Sequence, residues 1–198
     1  TTNLSAEVWR CTTTSSCNST TGWNRVGGNY IGNSWETRNL TAAYKMASGD
    51  GKLFVGGAGG AGNALVWMFN PETNTWSVVG GAGRVSASQS TTFGWDAYTY
   101  EAIWSMIYYK GALYVGLGSS TNDAEVWRCT GCDTGAPSWV RVGGDGANSS
   151  WNSAYESVSA LAIYNGQLYA GLGNGTAGDA EVWRCTGCDG DTPSWGGA

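Results

Sequence analysis

Ala6-Glu7-Val8-Trp9-Arg10-Cys11 returns as Ala64-Leu65-Val66-Trp67-Met68-Phe69, as Ala124-Glu125-Val126-Trp127-Arg128-Cys129 and as Ala180-Glu181-Val182-Trp183-Arg184-Cys185. The copies start at residues 6, 64, 124 and 180, a step of 56 to 60 residues. Self-similarity at such a period is the signature of a repeat architecture. Inside each copy Val and Trp are neighbours, so in an extended chain they point to opposite faces. The phrase therefore reads as a strand buried on both sides between neighbouring sheets.

Working outward, each repeat holds four short strands, here a to d, with the phrase as c. Strand a runs Val158 to Tyr164, Ile103 to Tyr109 and roughly Ala42 to Ser48. Its small residues Val158, Ala160 and Ala162 suit a strand lying close to a crowded axis. Asn165-Gly166, Lys110-Gly111 and Asp50-Gly51 follow, and Asn-Gly and Asp-Gly are the turns of a type I′ hairpin. Strand b is Leu53-Phe54-Val55-Gly56, Leu113-Tyr114-Val115-Gly116 and Leu168-Tyr169-Ala170-Gly171. A glycine inside a strand marks a close approach, expected here from the tryptophan of the next strand. Strand d brings a second tryptophan in Trp23-Asn24-Arg25-Val26, Trp76-Ser77-Val78-Val79, Trp139-Val140-Arg141-Val142 and Ser194-Trp195-Gly196-Gly197-Ala198. No stretch holds a helical period. The expected fold is all-β, a single array over 1–198 with a half unit at 1–34 and units at 35–80, 95–143 and 151–198.

The second unit, with Asn70-Pro71-Glu72-Thr73-Asn74-Thr75-Trp76 after Val55-Gly56-Gly57, resembles a kelch repeat. The hairpins Cys132-Asp133-Thr134-Gly135-Ala136-Pro137-Ser138-Trp139 and Cys188-Asp189-Gly190-Asp191-Thr192-Pro193-Ser194-Trp195 are similar to the Asp-boxes of sialidase-type propellers, one residue longer. The resemblance implies a β-propeller-like array of four-stranded antiparallel blades, about three and a half in this chain, and no chemistry, because both elements are structural turns in those families. The strand count opens on c-d and lacks the inner strands that would complete the first blade. Self-association or neighbouring repeats are expected to complete it by strand addition.

Composition narrows the function. The 198 residues include 32 Gly, 12 Trp and no His, with a net charge of −5. A negative chain without a Lys/Arg cluster repels a phosphate backbone, which excludes nucleic acid. No apolar run reaches the length of a membrane span, and without His the commonest acid–base group and metal ligand are both missing. The chain begins at Thr1 without an initiator Met or a visible signal peptide, so it reads as mature, excised or partial. The cysteines form three close pairs, Cys11/Cys17, Cys129/Cys132 and Cys185/Cys188. Even, local pairing points to disulfides and an oxidising compartment. Two C-x-x-C pairs can also make a zinc site, but these two occupy equivalent points of successive repeats, so no metal or other cofactor is expected. Sequons at Asn3, Asn18, Asn39, Asn148 and Asn174 are candidate glycosylation sites and favour a secreted protein.

The Asp-box resemblance invites a glycoside-cleaving site, which needs paired carboxylates, or an Arg cluster with a Tyr nucleophile. Here Arg10, Arg128 and Arg184 lie in strand c, Arg25 and Arg141 in strand d, and Glu7, Glu125 and Glu181 recur with the repeat. Such periodicity reads as pairing between strands. Arg38, Arg84, Glu36, Asp96 and Glu101 escape the pattern without forming a motif, and no catalytic residue is assigned. The loop tryptophans Trp35, Trp95 and Trp151 precede each strand a. They suit either stacking on a sugar ring, as in a propeller lectin, or covering the seam between units, and carbohydrate is the candidate ligand. Sequons Asn3, Asn148 and Asn174 would put glycans on the same face. The Gly/Asn/Asp-rich b–c loops lack the alternating acidic ligands of a calcium loop. The expected role is structural or adhesive, in an extracellular multi-subunit assembly.

Overall fold

A computed structural model describes residues 6–12, 17, 22–28, 31–35, 40–59, 62, 64–81, 94–95, 100–118, 123–152, 154–173, 175 and 179–197. Among them the chain is all-β, with 14 strands and no helix. A two-stranded sheet of β1 (Val8–Cys11) and β2 (Trp23–Gly27) comes first. The first four-stranded group is β3 (Ala42–Gly49), β4 (Lys52–Ala58), β5 (Val66–Asn70) and β6 (Thr75–Gly80). The second is β7 (Ala102–Tyr109), β8 (Ala112–Gly118), β9 (Val126–Thr130) and β10 (Ser138–Gly143). The third is β11 (Ser157–Tyr164), β12 (Gln167–Gly173), β13 (Glu181–Thr186) and β14 (Ser194–Gly197). Within each group consecutive strands pair antiparallel.

The local chemistry explains the hairpins. Asp50/Gly51, Lys110/Gly111 and Asn165/Gly166 all have positive φ at both central positions, as a type I′ turn requires to match the twist of its strands. Every strand a bulges at one place, between Ala43 and Lys45, Ile103 and Ser105, and Val158 and Ala160. Strand d opposite c bulges in the first two sheets that carry Arg, and in β5–β6, which adds local twist.

Consecutive groups touch at single bridges, Ala58↔Ala102 and Ser157↔Gly118, and otherwise meet face to face. Among the described residues the strand path does not close on itself. Three apolar clusters fill the spaces between sheets. The first joins the two-stranded sheet to β3–β6 through Val8, Val26, Trp35, Leu65 and Trp76. The second joins the first and second groups through Phe54, Trp95, Ile103, Leu113 and Val115. The third joins the second and third groups through Tyr114, Val126, Trp151, Val158 and Trp195. The core is therefore a series of seams, and every seam takes residues from both of its neighbours.

Two expectations fail here. The neighbour of Gly56 is Ile103, and that of Gly116 is Val158 with Ser105; a Cβ at either glycine would sit within 3 Å of these groups. The visitor is the first strand of the following group, because strand b faces that sheet and the tryptophan of strand c points the other way. The tryptophans of strand d lie instead over Gly27, Gly80 and Gly143. Ala160 and Ala162 are exposed, since no described sheet covers that side of β11.

Candidate functional site

The chemistry of the chain is concentrated at the seams. Strand d of each group sends its indole N–H to the preceding strand d: Trp76 Nε1 to Val26 O at 2.6 Å, Trp139 Nε1 to Val79 O at 2.6 Å and Trp195 Nε1 to Val142 O at 2.7 Å. The loop before strand a adds a second set. Trp35 Nε1 donates to Ala6 O and Trp151 Nε1 to Ala124 O, both at 2.7 Å. In the same loops Ser34 and Ser150 hydroxyls accept from Gly28 and Gly144 backbone N–H. The carbonyls of Gly32 and Asn148 accept from the backbone N–H of Trp76 and Trp195. A buried indole needs an acceptor for its N–H, and a backbone carbonyl of the neighbouring sheet supplies it.

The three loop tryptophans are each 1% exposed. Their rings meet the strand-d and strand-c tryptophans edge to face, Trp35 with Trp76 at 5.4 Å, Trp95 with Trp139 at 5.5 Å and Trp151 with Trp195 at 5.1 Å. Stacking on a sugar requires a ring face open to solvent. Trp35, Trp95 and Trp151 offer none in this arrangement, and their contacts are those of seam packing.

A repeated polar set lies beside them. Glu7 accepts from Trp9 Nε1 at 2.9 Å and pairs with Arg25 at 2.5 Å. Glu125 accepts from Trp127 Nε1 at 2.6 Å and pairs with Arg141 at 2.6 Å. Glu181 accepts from Trp183 Nε1 at 2.6 Å. The Arg25 guanidinium, helped by Trp9, holds the Glu7 carboxyl below its ordinary range. A hydrogen bond to Glu181, with burial, pushes the Tyr155 phenol up to about 12, while burial and then Glu125 raise Tyr100. In the first group this set is replaced together: Leu40, Leu65 and Val78 stand where the second group has Tyr100, Glu125 and Arg141. Trp67 Nε1 is left buried with no partner among the described residues, as is Trp95 Nε1. Glu7 with Arg25 and Glu125 with Arg141 are thus paired between strands c and d, as their spacing implied, whereas Arg128 of the same periodic set reaches the turn of the third group.

The c–d turns carry the cysteines. Cys11–Cys17, Cys129–Cys132 and Cys185–Cys188 are disulfide-bonded, with Cα separations of 5.5, 5.9 and 5.8 Å. In the third group the turn is a receiving surface: Cys188 O accepts from Tyr114 OH at 2.5 Å and from Arg128 Nη1 at 3.2 Å. Arg128 also reaches Gly190 O, and Lys110 pairs with Asp189 at 2.7 Å. Burial pushes the Tyr114 phenol up to about 12. At the seam before it, Phe54 and Met68 occupy the corresponding positions and pack on Cys129 and Cys132 without polar contacts. Sequence pairing found the cysteines but not this use of a turn carbonyl, because the turn and its donors belong to different repeats.

Of the sequons, only Asn148 lies among the described residues; Asn3, Asn18, Asn39 and Asn174 lie outside them. Asn148 is exposed and left-handed (φ 56°), and its Nδ2 donates to Val142 O at 3.1 Å. Glu36, Arg38, Arg84 and Asp96 also lie outside the described residues. Among those described, no three His, Cys, Asp or Glu residues converge, and no helix is long and apolar enough to cross a membrane.

What the seams bury, the third group leaves open. Val126 is 0% exposed and its equivalent Val182 is 52% exposed; Tyr109 is 7% exposed and Tyr164 is 64%. Ala160, Ala162 and Arg184 are exposed on the same face. This face, and the opposite face of the two-stranded sheet with Trp9 and Trp23 exposed, are the candidate interaction surfaces. No protein-family model matches the chain, and no curated protein matches it.

Proposed function

We propose that the chain works as a non-catalytic, secreted, propeller-type repeat array with a structural or adhesive role in an extracellular multi-subunit assembly. The observation that carries this is the open face of β11–β14. It presents Val182, Tyr164, Ala160 and Ala162 at positions whose counterparts in β7–β10 are covered by the following group. An apolar face of a repeat unit is stable when another unit covers it.

The antiparallel four-stranded groups meeting face to face support a reading as propeller blades, in line with the kelch-like and Asp-box-like turns. Secretion is supported by three disulfides, which persist in oxidising compartments. A non-catalytic role is supported by the pairing of Glu7 with Arg25 and of Glu125 with Arg141 across strands c and d.

Sedimentation of the purified chain over a range of concentrations tests the assembly. The expected result is a concentration-dependent oligomer that Val182→Glu dissociates. A wild-type chain that stays monomeric at every concentration would overturn the reading.

A further inference from the structure

Trp9 and Trp23 keep in the open what their counterparts bury. Trp9 is 50% and Trp23 44% exposed, whereas Trp67 and Trp76 at the same positions of the first group are 7% and 3% exposed. In the antiparallel pair Trp9 lies opposite Arg25, and Cys11 opposite Trp23. Opposite residues, and residues two apart, share one face of a sheet, so Trp9, Trp23 and Arg25 stand on the same side. The two tryptophans are diagonal neighbours there, within reach of a common ligand. Glu7 joins them, accepting from Trp9 Nε1 at 2.9 Å and pairing with Arg25 at 2.5 Å. Val8 and Val26 belong to the first seam, on the other side.

Both indole N–H groups are engaged within this part of the chain. Trp9 donates to Glu7, and Trp23 Nε1 donates to Cys17 O at 3.2 Å, in the turn between β1 and β2. That bond sets Trp23 apart from Trp76, Trp139 and Trp195, whose N–H groups reach a valine carbonyl of the preceding group. A further group stacked on this face through the seam bond would find the donor already engaged. What the face offers instead is ring surface, and beside it the carboxylate and guanidinium of Glu7 and Arg25, with side chains 34% and 38% exposed. Their charges balance each other.

We infer that Trp9, Trp23, Glu7 and Arg25 form a binding site for a neutral glycan. The C–H groups of a pyranose lie on an indole face, while neighbouring hydroxyls donate to the carboxylate and accept from the guanidinium in charge-assisted bonds. An aliphatic ligand fits less well, because it would cover the ion pair and return no hydrogen bonds. Each ring is held by its N–H bond before the ligand arrives, which lowers the ordering cost of binding. A uronic or sialic acid would have to compete with Glu7 for the guanidinium, so the site favours an uncharged sugar. Trp35, Trp95 and Trp151 offer no open ring face; Trp9 and Trp23 do. The site gives the adhesive role a class of ligand and does not rest on the assembly reading, since Val182 lies in the third group.

A glycan array spanning neutral hexoses, N-acetylhexosamines and acidic sugars selects the probe, and the neutral oligosaccharide bound best is titrated onto the intact chain by calorimetry. Saturable binding is expected, weakened at least about tenfold by Trp9→Ala and by Trp23→Ala, largely kept by Trp9→Phe and unchanged by Val182→Glu. Arg25→Gln, which leaves both rings in place, should weaken it by a smaller factor. The sugar should shift tryptophan emission in the wild type and not in the Trp9→Ala, Trp23→Ala double variant. No neutral glycan bound, a preference for acidic sugars, or binding that ignores both tryptophans would overturn the inference. So would an oligomer that Trp9→Ala dissociates and the sugar cannot compete with, because a second copy would then cover this face. A chain that is monomeric by sedimentation yet binds the sugar keeps this inference and removes the assembly reading; an oligomer dissociated by Val182→Glu that binds no neutral glycan does the reverse.

Discussion

The indole Nε1 of Trp139 donates to the backbone carbonyl of Val79 across 2.6 Å, from one group of strands to the one before it. Trp76 with Val26 and Trp195 with Val142 repeat the bond, so the same donor–acceptor pair recurs at each seam. Trp139→Phe keeps most of the ring and removes the donor, leaving the Val79 carbonyl unpaired. The expected loss is about 1–3 kcal/mol, read from urea unfolding. A loss near zero would mean that water replaces the bond and that the seam is looser than described.

Gly118 and Gly173 hold equivalent positions at the ends of their b strands but differ in what faces them. A Cβ at Gly118 would come within 2.2 Å of Glu156 O and 2.5 Å of Ser157 Cα, whereas one at Gly173 would meet nothing within 4 Å. Gly118→Ala should therefore destabilise by about 1–3 kcal/mol, as overpacking does, and Gly173→Ala should not. Equal melting temperatures for the two variants would contradict the way β11 approaches β8.

The wholesale replacement of the polar set in the first group predicts coupling. Leu65→Glu alone places an unpaired carboxylate at a site that is 0% exposed, with an expected cost of about 3–5 kcal/mol. Adding Val78→Arg restores the pair seen between Glu125 and Arg141, and the carboxylate offers Trp67 Nε1 the acceptor it lacks. The double variant should recover part of the loss, giving an interaction energy well away from zero in a double-mutant cycle. Simple additivity would show that the first group cannot adopt its neighbours' geometry.

The tyrosines set an alkaline limit. Burial pushes Tyr114 up to about 12, and the bond to Glu181, with burial, does the same for Tyr155. Burial, assisted by Asp50, raises Tyr108 as well. An unfolded phenol titrates near about 10, so the folded state keeps its protons longer than the unfolded one. Their contribution to stability is complete below about pH 10 and is lost as pH rises through about 12. The melting temperature should fall across that window, and less steeply in Tyr114→Phe. A flat profile up to pH 12 would rule out this contribution.

The Cys185–Cys188 bridge holds the turn whose carbonyl receives Tyr114 and Arg128. Replacing both cysteines with serine should cost about 2 kcal/mol from the short loop alone. Hydrogen exchange should rise at the third seam, between the second and third groups, before it rises in β3–β6. Uniform loosening of the whole chain would show that the turn does not act locally.

Strand positions and type I′ turns were legible in the sequence because each depends on residues close along the chain: alternation within a strand, and Asp-Gly or Asn-Gly between two strands. The cysteine pairs and the mutual engagement of Glu with Arg were legible for a related reason, since strands c and d are joined by a short turn. The neighbours of Gly56 and the exposure of Ala160 were not. A period of two states which side of a strand a residue takes, but it is silent on which sheet, if any, stands opposite. Only the packing of one group on the next decided that Ile103 lies over Gly56, that Trp35, Trp95 and Trp151 are enclosed by other tryptophans, and that Val182 and Met46 face solvent while Val126 is buried and Met106 is packed into a seam. Local sequence determines extended structure and turns through short-range sterics and hydrogen bonding. Burial is a property of two surfaces meeting, and the second surface here comes from a repeat about sixty residues away.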